Sequence, residues 1–237
     1  AVSGDLADVT AIAKGYQDPH FVDAKPSYLL KLKKADLFIQ VGLELEVAWA
    51  PVLLTNARNS KILPGSPGFL DASQDCDILQ KPITAIDRSL GDAHPLGNPH
   101  FWLDPDNGRV IARSIAHRLE KLDPGHAQDY RKNLADFESK LDGKEKEWDK
   151  AAAALNGARV VTYHDSWPNF AKRFGIEVVN FIEPKPGVPP SPAHIQSLIE
   201  QMKAEKIPLI LMEPYFDAKL PGKIARDTGA KLLLFAP

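Results

Sequence analysis

Short apolar segments alternate with helical segments along nearly the whole chain, and this alternation limits the possible folds more than any other feature. Seven segments are predicted to be strands, the first of them only a strand end: Ala11–Ala13, Leu37–Val41, Lys61–Leu63, Arg159–Thr162, Glu177–Phe181, Leu209–Met212 and Lys231–Phe235. The segments between the later strands have the three-to-four-residue apolar spacing of helices. Alternating strands and helices fold as parallel sheets covered by helices. The sequence therefore predicts an α/β protein.

One amphipathic stretch, from Pro124 to Asn156, is much longer than the other helical segments. Its apolar residues recur at intervals of three, four or seven. At about 1.5 Å per residue this helix would reach roughly 45 Å, further than one small lobe requires. We therefore predict two parallel-sheet α/β lobes, over residues 1–123 and 157–237, joined by one long rigid helix over residues 124–156. The first lobe is expected to lack its first strand and helix, and the second to be cut short.

Composition excludes several classes of function. With a net charge of −2, the 237 residues offer no clustered positive charge for nucleic acid. No apolar run approaches the roughly 18 residues that cross a membrane, so we expect a chain that does not span one. We also expect the protein to be a monomer. Cys76 is the only cysteine, which excludes an intrachain disulfide and a Cys-rich zinc site. A metal site would have to use histidines and carboxylates.

Three of the seven histidines lie in loops that follow predicted strands, where α/β folds place ligand sites. His20 follows a predicted strand end at Ala11–Ala13, within Asp-Pro-His. His100 lies in Asn-Pro-His-Phe-Trp-Leu-Asp-Pro, and His164 follows Arg159–Thr162 in Tyr-His-Asp-Ser-Trp. Any one of them alone is more simply a surface histidine. The three together favour a metal site.

Six motifs follow one another along nearly the whole chain: Asp18–His20, Leu32–Leu37, Val41–Glu46, Asn98–Pro105, Thr162–Asp165 and Pro189–Pro192. Together they resemble the zinc and manganese solute-binding proteins of ABC transporters, the cluster A-I or ZnuA/TroA-like family. The resemblance implies one ion bound by His20, His100 and His164 in the cleft between the two lobes. It also implies a periplasmic or otherwise extracytoplasmic protein, free or lipid-anchored, that delivers the ion to a membrane permease.

Ligand chemistry favours zinc, with Mn²⁺ and Fe²⁺ as alternatives. Neutral imidazoles suit tetrahedral Zn²⁺, whereas Mn²⁺ prefers more oxygen ligands. Many family members have an Asp after the last strand, where this chain has Ala236 and Pro237. The fourth position is therefore left to water, to Glu213 or to a residue beyond the visible end. Asp165 either orients a ligand or caps the next helix.

Two other functions use similar residues. Three histidines with an open fourth position also describe a catalytic zinc that activates water, so a zinc-dependent hydrolase is one alternative. The sequence contains neither His-Glu-x-x-His nor Gly-x-Ser-x-Gly, the signatures that would support it. A metal-binding adhesin is the other. We predict high-affinity capture of a divalent metal for an ABC importer, without enzymatic activity.

Overall fold

Two parallel sheets are present in the computed structural model, which describes residues 1–83 and 94–235. Strands β1 (Phe38–Gln40) and β2 (Phe69–Asp71) form the first sheet. The second contains β3 (Arg159–Thr162), β4 (Glu177–Phe181), β5 (Leu209–Met212) and β6 (Lys231–Leu234). The helices are α1 (Pro26–Leu32), α2 (Ala50–Ala57), α3 (Pro105–Leu122), α4 (Ala127–Ala152), α5 (Pro168–Phe174), α6 (Pro192–Ala204) and α7 (Lys219–Thr228). In these ranges no helix combines the length and the hydropathy needed to cross a bilayer.

The chain divides into two compact units. The first comprises Ala1–Ile78 and Asp104–Trp148, and the second comprises Leu79–Leu103 and Asp149–Pro237. Helix α4 runs through the boundary after Trp148, so it is shared by both units. The predicted α/β class, with two parallel sheets and one long helix, is confirmed.

The first unit has its core around the β1–β2 pair. Trp49, Leu53 and Ile62 are almost completely buried there. A second apolar cluster joins Ala112 and Ala116 of α3 to side chains of α4.

Ion pairs reinforce the packing of α3 on α4. Arg109 of α3 bonds to Asp142 and Glu145 of α4 at 2.8 and 2.7 Å. The two helices of this unit are therefore joined by apolar contacts and by charge.

The second unit contains the four-stranded sheet in the order β4-β3-β5-β6, with all pairs parallel. Val161, Ile182 and Ile210 are fully buried in its core, and α6 and α7 cover them with Leu198 and Ile224. In a parallel sheet all carboxyl ends lie at one edge, so the loops after β3, β4 and β5 are neighbours.

Two strand predictions were wrong. Lys61–Leu63 forms no strand, and Ser60–Ile62 is instead a 3₁₀ helix. Ala11–Ala13 forms no strand, because Ile12 and Ala13 pack their side chains on the first core without pairing to another strand. The predicted helix over 124–156 contains α4, but its first and last turns, Pro124–His126 and Ala153–Leu155, are 3₁₀ helices.

The compact units also differ from the predicted lobes over 1–123 and 157–237. The segment Leu79–Leu103 belongs to the second unit. Its 3₁₀ turn Phe101–Leu103 packs against α5, and Phe101 is fully buried. This contact joins residues about 70 positions apart, and no local pattern in the sequence encodes it. His100 therefore lies in the same unit as His164, and not with His20 as the predicted division implies.

Candidate metal site

His100 is held by the residue two positions before it. Its backbone N–H donates to Asn98 Oδ1 at 3.0 Å, and its ring Nδ1 lies 2.9 Å from the same oxygen. The amide nitrogen of Asn98 donates to the Asp165 carbonyl and to Gln80 Oε1, which fixes the orientation of the amide. Asn98 Oδ1 can only accept, so Nδ1 of His100 carries the proton. The lone pair of the buried ring is then on Nε2, the nitrogen available to a metal.

His20, in the first unit, repeats this arrangement. Asp18 Oδ1 accepts from the His20 backbone N–H at 3.0 Å and lies 2.7 Å from ring Nδ1. Trp49 Nε1 donates to the Pro19 carbonyl at 2.9 Å and holds the loop on the core. In both motifs a side-chain oxygen two residues before the histidine fixes the backbone and the ring together. Asx-Pro-His therefore directs Nε2 in both loops.

His164 is oriented by a residue distant in sequence. Its Nδ1 lies 2.6 Å from Glu183 Oε2, and both side chains are less than a tenth exposed. Thr162 at the end of β3 pairs with Phe181 at the end of β4, so His164 and Glu183 each lie two residues beyond paired positions. Glu183 was not predicted from the sequence. Glu183 and His164 lie equally far beyond the ends of neighbouring strands, and this spacing identifies Glu183 once the strand order is known.

Asp165 does not cap the next helix, because α5 begins after Trp167 and has no side-chain cap. The ring of His164 is bonded by Glu183. Asp165 instead accepts a hydrogen bond from Gln80 at 3.3 Å. Its position between the two segments of the second unit means that it helps to fix the loop carrying His100.

The rings of His100 and His164 are neighbours in the second unit. Their centroids are 5.4 Å apart with an interplanar angle of 72°, and a ring nitrogen of one lies within 4.8 Å of a ring nitrogen of the other. Two imidazoles on one tetrahedral zinc have nitrogens about 3.4 Å apart, given Zn–N bonds of about 2.0–2.1 Å. Trp102 and Phe216 lie beside these rings at 5.3 and 6.0 Å. The second unit alone thus offers two buried, oriented imidazoles.

Several titrating groups around His164 have shifted pKa values. Burial by itself would lower the pKa of His164, but the hydrogen bond and charge of Glu183 raise it above its usual value. Burial raises the pKa of Asp165 to about 6 and also raises the pKa of Glu213. A cation bound at this sheet edge would offset the burial that disfavours the charged forms of these carboxyl groups.

Three other histidines have surface or structural positions. His126 lies 2.7 Å from Asp123, and His117 is exposed on α3. His194 Nε2 lies 2.9 Å from the Phe181 carbonyl, at the first turn of α6. Asp104 caps α3 by accepting a hydrogen bond from the Asp106 N–H.

Comparisons with known proteins identify the family. The family model described as zinc-uptake complex component A, periplasmic (ZnuA), matches residues 1–237. A manganese ABC transporter substrate-binding lipoprotein PsaA from Streptococcus anginosus is 27% identical over 235 residues, which cover 96% of this chain and 72% of that protein. An iron ABC transporter substrate-binding lipoprotein MtsA from Streptococcus pyogenes serotype M1 is 28% identical over 234 residues, covering 97% and 72%.

A solved structure agrees with these relatives. The crystal structure of ZnuA matches with a TM-score of 0.82 and 27% identity, covering 100% of this chain and 85% of that chain. Both sequence relatives are named as substrate-binding proteins of transporters and not as enzymes, which argues against the hydrolase alternative. The chain belongs to the ZnuA family of extracytoplasmic substrate-binding proteins of metal ABC transporters.

Proposed function

We propose that this protein captures one divalent transition-metal ion outside the cytoplasm and delivers it to the membrane permease of an ABC importer. The observation that carries the proposal is the pair His100 and His164, adjacent and buried, each with Nδ1 bonded to a side-chain oxygen. This is the state in which imidazoles bind metal through Nε2. The adhesin alternative receives no support from this pair.

His20, His100 and His164 are the ligands in this proposal. Support for His20 comes from its local geometry, because Asp18 engages its Nδ1 as Asn98 engages that of His100. The family resemblance of the Asp-Pro-His and Asn-Pro-His motifs supports the same set. Water is proposed for the fourth position. Ala236 and Pro237, where many family members have an Asp, lie outside the described residues.

Zinc is the metal that we propose, followed by Mn²⁺ and Fe²⁺. Three neutral imidazoles match the nitrogen preference of zinc, and the matching family model is that of a zinc-uptake component. The two relatives described above are named for manganese and iron, so the comparisons do not distinguish among the three metals. Their names as lipoproteins also support a lipid anchor, and we propose that the protein acts as a monomer.

Metal analysis and competition titration test the function. Protein purified without chelator is analysed for zinc, manganese and iron, and zinc affinity is measured against a chromophoric chelator. His20→Ala, His100→Ala and His164→Ala should each weaken zinc binding at least about tenfold, because each removes a ligand. His117→Ala and His126→Ala are matched controls that should leave it unchanged. Equal losses in the controls, or no metal bound by the unsubstituted protein, would refute the proposal.

A further inference from the structure

Two buried glutamates flank His164 in the second sheet. Phe181 and Thr162 end β4 and β3 and are paired with each other, and Leu211, the residue before the end of β5, pairs with Thr162. The backbone ladder continues beyond them, since Glu183 N–H donates to the Tyr163 carbonyl and Tyr163 N–H to the Leu211 carbonyl. Two residues further on each strand lie Glu183, His164 and Glu213. His164 therefore has one carboxylate on the neighbouring strand at each side.

The two glutamates have different environments. Glu183 is bonded to the His164 ring, whereas Glu213 is fully buried and neither of its oxygens makes a hydrogen bond of full geometry within the described residues. The Ser166 hydroxyl and the Trp167 indole N–H are the donors that face Glu213 and lower its pKa, although burial raises that pKa overall. All three side chains are buried, and their polar atoms are not held by bonds of full geometry in the part of the chain that the structure describes.

A buried carboxylate in this state requires a compensating positive charge. Removing a carboxylate from water costs several kcal/mol unless a cation or hydrogen bonds replace the water. The charged side chain that acts favourably on Glu213 is His164. Three neutral imidazoles carry no charge of their own to offset a bound dication, so carboxylates beyond the ligands, such as Glu183 on His164, have to supply it. The carboxylate and the metal-bound imidazole therefore complement each other.

We propose that Glu213 is a positioning residue that stabilises the metal-loaded state by charge, acting through His164 without coordinating the ion. The inference rests on the proposed function, because it takes His164 as a ligand. Glu183 fixes the direction of the ring, and Glu213 provides negative potential from the other side. The chemical consequence is a preference for a doubly charged ion at a site whose ligands are neutral.

Two substitutions separate the effect of the Glu213 charge from the effect of the side chain's shape. Glu213→Gln removes the charge and keeps the shape, and Glu213→Asp keeps the charge. Removing a buried charge that lacks good partners is commonly neutral or stabilising, so the metal-free Gln variant should unfold at the same temperature or higher. Glu177→Gln is the matched control, because Glu177 lies at the opposite end of β4 and is exposed.

Zinc affinity by chelator competition and the visible absorption of the Co²⁺-loaded protein are the readouts. We expect Glu213→Gln to raise the zinc Kd at least about tenfold, Glu213→Asp to stay within a few-fold, and Glu177→Gln to have no effect. The Co²⁺ spectrum should be unchanged in every variant, because no ligand is lost. An altered Co²⁺ spectrum in Glu213→Gln would make Glu213 a ligand and overturn the proposal, as would equal losses in the Gln and Asp variants.

Failure of this inference is distinguishable from failure of the proposed function. If the unsubstituted protein binds zinc tightly, His164→Ala loses it and Glu213→Gln does not, the role of Glu213 alone is refuted. If the unsubstituted protein binds none of zinc, manganese and iron, both the function and this role are refuted.

Discussion

Glu183→Gln tests whether a partner of a ligand controls the affinity for the ion. The side chain lies 2.6 Å from His164 Nδ1 with both groups buried, so water cannot replace the carboxylate. Gln keeps the size but offers a weaker acceptor and no charge. Loss of such partners typically lowers metal affinity by about 10–100-fold. The expected loss is therefore about 1.4–2.7 kcal/mol of binding free energy.

The pH dependence gives this prediction a second signature. Zinc binds the unprotonated imidazole, and Glu183 raises the pKa of His164, so protons compete with zinc at a higher pH than for an ordinary histidine. Gln removes this effect. We expect the variant to bind more weakly near pH 8, yet to begin losing affinity on acidification at a lower pH than the unsubstituted protein.

The effect of Glu183→Gln on the stability of the metal-free protein should be largest in acid, whereas its effect on zinc affinity is largest near pH 8. A folded-state pKa above the unfolded value of 6.5 contributes stability that is fully present below pH 6.5 and is lost as pH rises through the folded pKa. Glu183→Gln should therefore lower the unfolding temperature of the metal-free protein more in acid than near pH 8.

The assay is chelator competition at several pH values, with thermal unfolding of the metal-free protein at the same values. Glu200→Gln is the control, since Glu200 lies on the exposed face of α6 and bonds to Gln196. Identical zinc affinities for Glu183→Gln and the unsubstituted protein near pH 8 would refute the reasoning. So would a loss of affinity with an unchanged pH profile, because charge would then have no part in it.

Three further predictions concern other parts of the chain. Asn98→Ala should weaken zinc binding about tenfold through His100, because Asn98 holds both the backbone and the ring of that residue; the chelator competition measures the loss, and an unchanged Kd would contradict it. Gly143→Ala should stabilise the protein by about 1 kcal/mol and raise the unfolding temperature by about 2–4 °C in calorimetry, because Gly143 lies inside α4 with open space at its Cβ position. Burial raises the pKa of Cys76 to about 11, so alkylation by iodoacetamide at pH 8 should be slow in the folded protein and fast in urea; equal rates would contradict this.

Sequence patterns predicted the features that depend on neighbouring residues. The strands of the second sheet are short apolar runs separated by amphipathic helices, so both their positions and the parallel pairing follow from the alternation. The orientation of His20 and His100 was not predicted, although it depends on Asx-Pro-His, which acts over only three residues. In these cases the relevant contact lies within one element or one turn.

Features that depend on the order of strands could not be predicted. The partnership of His164 with Glu183 requires β4 to lie beside β3, and alternation of strands and helices does not specify that order. The same holds for the segment Leu79–Leu103, which packs against a helix encoded about 70 residues later. Ala11–Ala13 was wrongly predicted to be a strand end, because an apolar run that is too short to pair can still pack on a core.

The Asx-Pro-His arrangement has a consequence for the speed of metal loading. Its hydrogen bonds lie entirely within the chain, so the imidazoles of His20 and His100 are immobilised during folding and not during capture. Ordering a flexible side chain on binding typically costs about 0.5–1.5 kcal/mol, and here that cost falls on folding. We expect loading to be limited by the ion's loss of its own water and not by ring reorientation. Unloading through relaxation of these two rings would require the same hydrogen bonds to break.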